Sequence, residues 1–532
     1  MKASFLSIAA AALMFAACNE PLNEAAEVED ISQKSSPTNF TDGQTILGKS
    51  IENPYSLTYM REALKEFSQT SLSKAALNYE IKANFLYVRF LPKNPEEFET
   101  LLSDTTIELF DRPMLCEIIQ EGESYHDPSL PKDAITWQYT TVPIDYKFPK
   151  VQYEILDSCF VPEDMDESIS KSFSDFDATE LTPIAFKLAG LESELEKGIS
   201  KKRKTPKGHF HVWDNYHNKW VGIVGIKVRV YNGIRWDHTH TDFEGNYEMS
   251  KRYATTNVHY KIKFRTSDDI IINNKMLDLD AAEEGLGWHS HGGYSKSFDT
   301  GSKIWMWATV NNAVYIFRKQ LCPKLNIPTP KIKLHVFASN NKSKNWSGCA
   351  PMCRHIKVEI AQWQKFCTAY IGVGVQTLFD VIGPDVMIFH NENTQNVYSS
   401  VFHEMSHVCH YINAGKSYWE KYVTFIINHF GYGQISQKNS GYVGLGEMWG
   451  NYFGNYVCNK EYFGNPFNWE EMEDWYHPGL LKSLYENTLL TNRNIFDCLT
   501  GDVTTYEQFR QKLIRKCWQN GKIDECFKNY GF

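Results

Sequence analysis

The sequence predicts a multidomain α+β protein: an N-terminal α+β domain, a small β-sandwich and a mainly helical C-terminal domain. Three observations carry this reading. The chain has 532 residues, more than one hydrophobic core normally organises. Between Gly222 and Arg265 the apolar residues alternate with the two-residue period of strands in a sheet. Beyond Tyr398 they recur every three to four residues, the period of helices. Composition is that of a folded protein, with 42% apolar and 22% charged residues, and the net charge of −9 argues against a nucleic-acid partner.

The first residues, MKASFLSIAAAALMFAAC, combine Lys2, an apolar stretch from Phe5 to Phe15 and small residues up to Cys18. This is the pattern of an export signal over 1–17, too short for the roughly 20 apolar residues of a membrane span. Phe15-Ala16-Ala17-Cys18 resembles a bacterial lipobox, with Phe where Leu is usual. The resemblance implies that Cys18 is the lipidated first residue of a mature chain anchored to the outer membrane. Residues 18–45 are polar and acidic, with too few apolar groups to bury, and read as a tether. Acidic residues soon after such a cysteine resemble the surface-export signal of Bacteroidetes lipoproteins, which leaves the cell surface and the periplasmic face both open.

Residues 46–200 read as the N-terminal α+β domain. Tyr59 to Gln69 predicts a helix, FLYVRFLP from Phe85 to Pro92 a strand, and Asp175 to Lys197 a closing helix. No site chemistry stands out here, so docking on the catalytic domain, inhibition as a retained prodomain and substrate binding are all open. The run Lys201-Lys202-Arg203-Lys204-Thr205-Pro206 marks a linker. In the sandwich, over 206–273, Ile226, Val228 and Val230 point to one face and Lys227, Arg229 and Tyr231 to the other, predicting a half-buried strand. GIKVRVYN followed by TDFEGNYEM resembles the carboxypeptidase regulatory-like, transthyretin-like modules, which implies a spacer or binding platform without catalysis. His238/His240 and His289/His291 could each face a metal from a strand, but neither pair has an evident third ligand.

The third domain, 274–532, holds the chemistry. The sequence predicts a strand at Lys331 to Ser339, a helix from Pro351 to about Phe366 and a strand at Asp385 to Phe389. Next comes YSSVFHEMSHVCHYIN, Tyr398 to Asn413. As a helix it sets His403 and His407 one turn apart on one face, where two imidazoles can converge on one cation. Glu404 lies beside them, placed to take a proton from metal-activated water. Val401, Met405, Val408 and Ile412 form an apolar stripe that buries the helix; the competing reading is a pair of hydrogen-bonded core histidines.

A catalytic zinc takes three protein ligands. His410 is seven residues from His403, about 10 Å along a straight helix, and the extended pattern H-E-x-x-H-x-x-G-x-x-H fails because His410 and Asn413 occupy its last two fixed positions. Glu447, in GYVGLGEMWGNYFGNY, is the better candidate, with His410 and Glu420 as rivals. Gly446, Gly450 and Gly454 form a smooth stripe at i, i+4 and i+8 that would let the histidine helix approach. Asn451, one turn beyond Glu447, would then bond a ligand histidine from behind.

HEMSH followed on a later helix by GEMWGN resembles the gluzincin metallopeptidases, thermolysin-like in site geometry. The resemblance covers the two motif helices, and Asn451 replaces the family's usual carboxylate. It implies a zincin-like metallopeptidase domain, Zn2+ on His403, His407 and Glu447, Glu404 as general base, and a protein or peptide substrate. Two alternatives share parts of this pattern: a lipid-anchored protein or glycan binder on an inactive protease fold, and a zinc hydrolase of a non-peptide bond. Twelve cysteines less Cys18 leave eleven, an odd number in an exported chain. Cys349/Cys353 and Cys517/Cys526 are candidate disulfides, while Cys409 reads as a buried small hydrophobe.

Overall fold

The computed structural model describes residues 44–70, 79–131, 134–165, 177–195, 203–275, 279–342, 347–357, 383–429, 431–465 and 474–532. The export signal, Cys18, nearly all of the tether and Lys201-Lys202 lie outside the described residues. The architecture is multidomain α+β, with mixed sheets in the N-terminal half and a mainly helical C-terminal region.

The N-terminal part pairs β1 (Ile46–Ser50) with β3 (Cys116–Gln120) and builds a second sheet in the order β4-β2-β5 from β2 (Phe85–Leu91), β4 (Gln138–Pro143) and β5 (Gln152–Cys159). Helices α1 (Leu57–Thr70), α2 (Pro95–Leu102) and α3 (Leu181–Leu188) flank them. The helix and strand expected near Tyr59 and Phe85 are present. The closing helix is shorter than predicted: α3 ends at Leu188, and Gly190, with φ +76°, turns the chain, a left-handed conformation that suits glycine.

Two sheets form the sandwich. One has the order β13-β11-β8-β9, from β8 (Lys227–Asn232), β9 (Arg235–His240), β11 (Asn257–Lys263) and β13 (Glu283–Ser290). The other centres on β6 (Lys207–Asp214), which pairs with β7 (Lys219–Gly222), β10 (Asn246–Glu248) and β14 (Lys296–Phe298). Strand β12 (Ile270–Asn273) leaves this pair of sheets and runs parallel to β15 (Leu334–Lys342) in the C-terminal sheet, after which β13 and β14 return. The sandwich and the C-terminal sheet therefore interleave along the chain.

Strand β8 is not half-buried. Val228 and Val230 face the sandwich core as expected, but Arg229 and Tyr231 on the other face are 3% and 4% exposed. The N-terminal domain covers them. Glu108 accepts from Arg229 at 3.1 Å and from Lys227 at 2.9 Å, Arg229 also reaches the Leu109 carbonyl at 2.8 Å and lies over the Phe110 ring, and Arg112 donates to the Tyr231 hydroxyl at 2.6 Å. Burying these charges is tolerated because each meets an opposite charge or a hydrogen-bond acceptor.

The C-terminal sheet has the order β12-β15-β17-β16, in which β17 (Val386–His390) is parallel to β15 and the short terminal strand β16 (Gly348–Cys349) is antiparallel to β17. Helix α4 (Lys303–Ile316), with Trp305 and Trp307 fully buried, packs on this sheet and on β6. Residues 351–357 form turns where a helix was expected, and the remainder of that expected helix lies outside the described residues. Helices α5 (Thr394–Ala414), α6 (Lys416–His429) and α7 (Ser440–Asn455) follow, then α8 (Pro478–Asn487), α9 (Asn492–Asp497), α10 (Tyr506–Cys517) and α11 (Asn520–Asn529). Among the described helices none is long and apolar enough to cross a membrane. Cys349, Cys517 and Cys526 carry free thiols, so neither Cys349/Cys353 nor Cys517/Cys526 forms the expected bridge, and Cys409 is fully buried.

Candidate metal centre

Helix α5 starts where Asn393 caps it, its side chain accepting from the Asn396 amide, and ends at Gly415. Val401, Met405 and Val408 are fully buried, whereas Ile412, the last member of the predicted stripe, is 39% exposed because it lies in the final turn beyond the packed part of the helix. The buried stripe fixes the rotation of α5 so that His403 and His407 face α7.

The glycine stripe does what its spacing predicted. A Cβ at Gly450 would stand 2.5 Å from the His407 ring, and one at Gly454 would stand 2.6 Å from the His403 Cα. Only glycine allows the two helices to approach this closely. The Trp449 indole donates to the Ser406 carbonyl at 3.1 Å and ties the helices together at the same level.

The approach brings four chemically active side chains together. The Nε2 atoms of His403 and His407 are 3.0 Å apart. Glu447 Oε1 is 3.4 Å from His407 Nε2, and its Oε2 is 3.7 Å from His403 Nε2. Glu404 Oε1 is 4.0 Å from His403 Nε2. His403, Glu404 and His407 form a group whose candidate ligand atoms lie within 4.8 Å of one another, the only such group of three or more metal-binding side chains among the described residues. Two imidazole nitrogens with a carboxylate are a donor set for zinc, and bonds of about 2.0–2.1 Å in a tetrahedron set donors roughly 3.3–3.4 Å apart. The His403–His407 separation of 3.0 Å and the His407–Glu447 Oε1 separation of 3.4 Å are close to that value, and the second Glu447 oxygen faces His403 at 3.7 Å.

The two carboxylates are fully buried but differ in their surroundings. Glu447 is held on both oxygens: Tyr422 donates to Oε1, and Tyr432 donates to Oε2 at 2.8 Å. Neither oxygen of Glu404 has a hydrogen-bond partner. Burial, reinforced by the charge of Glu447, pushes the Glu404 carboxyl well above its ordinary range. Burial acts on Glu447 in the same direction, but His407, His403 and the Tyr422 hydroxyl outweigh it and hold the carboxyl below its usual value. Burial, then His407, pulls His403 down to about 3, so its imidazole is neutral and free to donate a lone pair. Two carboxyls driven in opposite directions are the arrangement of an acid–base group beside a permanent anion.

Asn451 does not reach a histidine. Its amide donates to the Glu447 carbonyl at 3.0 Å and lies 3.5 Å from Glu447 Oε2, because one turn along the same helix points it at its own glutamate. The rival ligands are elsewhere: the His410 ring packs against Tyr418 and Trp419, and Glu420 accepts from the Lys357 amide at 2.9 Å. His238 stands 3.5 Å from Glu108, and His289 stacks on Tyr294 and contacts the Leu286 carbonyl at 2.7 Å, so these histidines serve packing and domain contacts. Tyr422 and Tyr432 went unnoticed in the sequence, where nothing separates them from the other tyrosines of the helical region. The approach of Gly348 to Glu404, with a Cβ there 2.9 Å from Oε1, was equally hidden.

No protein-family model matches the chain, and neither the curated proteins nor the solved structures contain a match. The class of the site is therefore defined by its own residues: a buried His-Glu-His group, at H-E-x-x-H spacing on one helix, able to hold a metal ion.

Proposed function

We propose that the protein is a zinc-dependent endopeptidase, with His403, His407 and Glu447 holding Zn2+ and Glu404 acting as general base. The observation that carries the reading is the contrast between the carboxylates, one fixed by donors beside both imidazoles and one buried without any partner. A purely structural pair of histidines gives no reason to bury the Glu404 carboxyl with no hydrogen-bond partner, since an unsatisfied buried polar group is costly. A binding protein has no use for it either.

When bound, zinc would supply Lewis acidity towards water and the scissile carbonyl. His403 and His407 present their Nε2 lone pairs, and Glu447 supplies the balancing negative charge. Glu404 takes the proton from the attacking water and returns it to the leaving amine. The terminal strand β16 lies against Glu404, and a terminal strand suits an extended peptide, whose backbone can pair with it; this favours a peptide bond over other scissile bonds. The lipobox-like Cys18 supports an exported protein anchored by lipid to the outer membrane, acting on protein or peptide substrates.

The test is metal analysis and peptide-library cleavage on the full chain. One zinc per chain is expected in the wild type; His407→Ala and Glu447→Ala lose metal and activity together, and His410→Ala keeps both. Full zinc content in Glu447→Ala, beside none in His410→Ala, would overturn the ligand set. Cys18→Ala is expected to release the protein from the membrane fraction, and continued partitioning with membranes would remove the lipoprotein reading.

A further inference from the structure

We infer that Tyr422 and Tyr432 are positioning residues that clamp the metal-binding carboxylate, one phenol on each oxygen of Glu447. The inference rests on the proposed ligand set and extends it to two residues that no sequence motif marks. Oε1 of Glu447 faces His407 at 3.4 Å and accepts from Tyr422, while Oε2 faces His403 at 3.7 Å and accepts from Tyr432 at 2.8 Å. The carboxylate plane is thereby fixed by two donors that arrive from different segments, so both oxygens keep a defined aspect towards the imidazoles before any metal binds.

Each tyrosine is itself held in place. Tyr422 on α6 stacks on Trp419 with centroids 4.4 Å apart, and Gly446 makes room for it, since a Cβ there would come within 2.9 Å of the ring. Thus the first glycine of the stripe accommodates the clamp, while the second and third accommodate the two histidines. Tyr432 lies between Gly431 at φ +144° and Gly433 at φ +63° and packs edge-on against Tyr476, with centroids 5.7 Å apart. With a positive-φ glycine on either side, its hydroxyl reaches a carboxylate fifteen positions later in the chain.

The clamp has two physical consequences. Donated O–H bonds offset part of the cost of taking the carboxylate out of water. They also hold a rotatable group still, so less conformational freedom is lost when the ion arrives. Removing an outer partner of a metal ligand typically weakens metal binding by about 10- to 100-fold.

The experiment is zinc affinity of the full chain, measured by competition with a chromogenic chelator, alongside thermal melting of the metal-free protein. Tyr422→Phe and Tyr432→Phe keep the rings and remove only the donors. Each is expected to bind zinc roughly 10- to 100-fold more weakly and to melt near the wild-type temperature, with the double variant weaker than either. Tyr432 is half-buried, so its variant carries the test if Tyr422→Phe does not fold. Wild-type affinity in folded Phe variants would overturn the clamp and leave the ligand set standing. A wild-type chain that binds no zinc would overturn the ligand set and the clamp together.

Discussion

The molecule buries charge in two places, and it treats them differently. Between the N-terminal domain and the sandwich, Glu108, Arg229, Lys227, Lys261 and Glu283 form a network in which each charge meets its opposite. At the candidate metal centre, Glu404 is as deeply buried but has no hydrogen-bond partner on either oxygen. The first arrangement is what a stable domain contact requires, since an ion pair taken from water must be matched to be tolerated. The second suits the general base proposed for Glu404. Compensation thus separates charges that hold the structure from the carboxyl proposed to act in the chemistry.

This contrast can be broken most sharply with two isosteric substitutions. Glu404→Gln is expected to lower peptide cleavage by roughly 10² to 10⁴ with zinc content unchanged and no loss in urea stability. Glu108→Gln should do the reverse, leaving zinc in place but destabilising the fold by about 3–5 kcal/mol, because Arg229 and Lys227 lose their carboxylate. If both variants showed the same pattern in activity and urea denaturation, the distinction would not hold.

Acid should attack the domain contact first. Positive neighbours outweigh burial and hold Glu108 far below its ordinary value, and Glu121 and Glu283 are each lowered to about 2. A carboxyl with a depressed folded value contributes stability that is complete above its unfolded value near 4.5 and is lost as pH falls towards the folded value. Urea midpoints should therefore fall steadily from about pH 5 towards pH 2, and Glu108→Gln should flatten the slope. A slope unchanged by that substitution would place the acid sensitivity elsewhere.

The same network is expected to hold the N-terminal domain on the sandwich. Protease cleavage near Lys201 to Lys204 is expected to leave two fragments that co-elute in size-exclusion chromatography at neutral pH. Separation of the fragments, as a removable prodomain would show, would contradict this. The smallest effects belong to the glycines of α7. Gly454→Ala meets the main chain at His403 and should cost about 1–3 kcal/mol, whereas Gly450→Ala meets a ring that can swing and should weaken zinc binding more than stability, as melting and chelator competition would show.

How much of this could be read from the sequence depends on how far apart the partners lie. His403, Glu404 and His407 sit within one helical turn, so spacing alone places them. Glu447 was reachable because its helix carries a glycine stripe that has to pack against something. Tyr422 and Tyr432 were not, since a phenol acquires its role only from what it meets, here a carboxylate 25 and 15 positions away. Arg229 read as an exposed residue of an alternating strand because its partner Glu108 is 121 positions earlier. Asn451 was assigned to the wrong partner for the opposite reason: the same-helix carbonyl four residues back is always within reach.

The passage of the chain through β12 before it returns to β13 and β14 means that the sandwich cannot be exchanged as a cassette. Excising 206–273 would strip the C-terminal sheet of one of its outer strands and leave Glu283–Ser290 and Lys296–Phe298 without the strands they pair with. The sandwich is sewn into the sheet that packs on helix α5, so any force or strain applied to one is delivered to the other through continuous backbone.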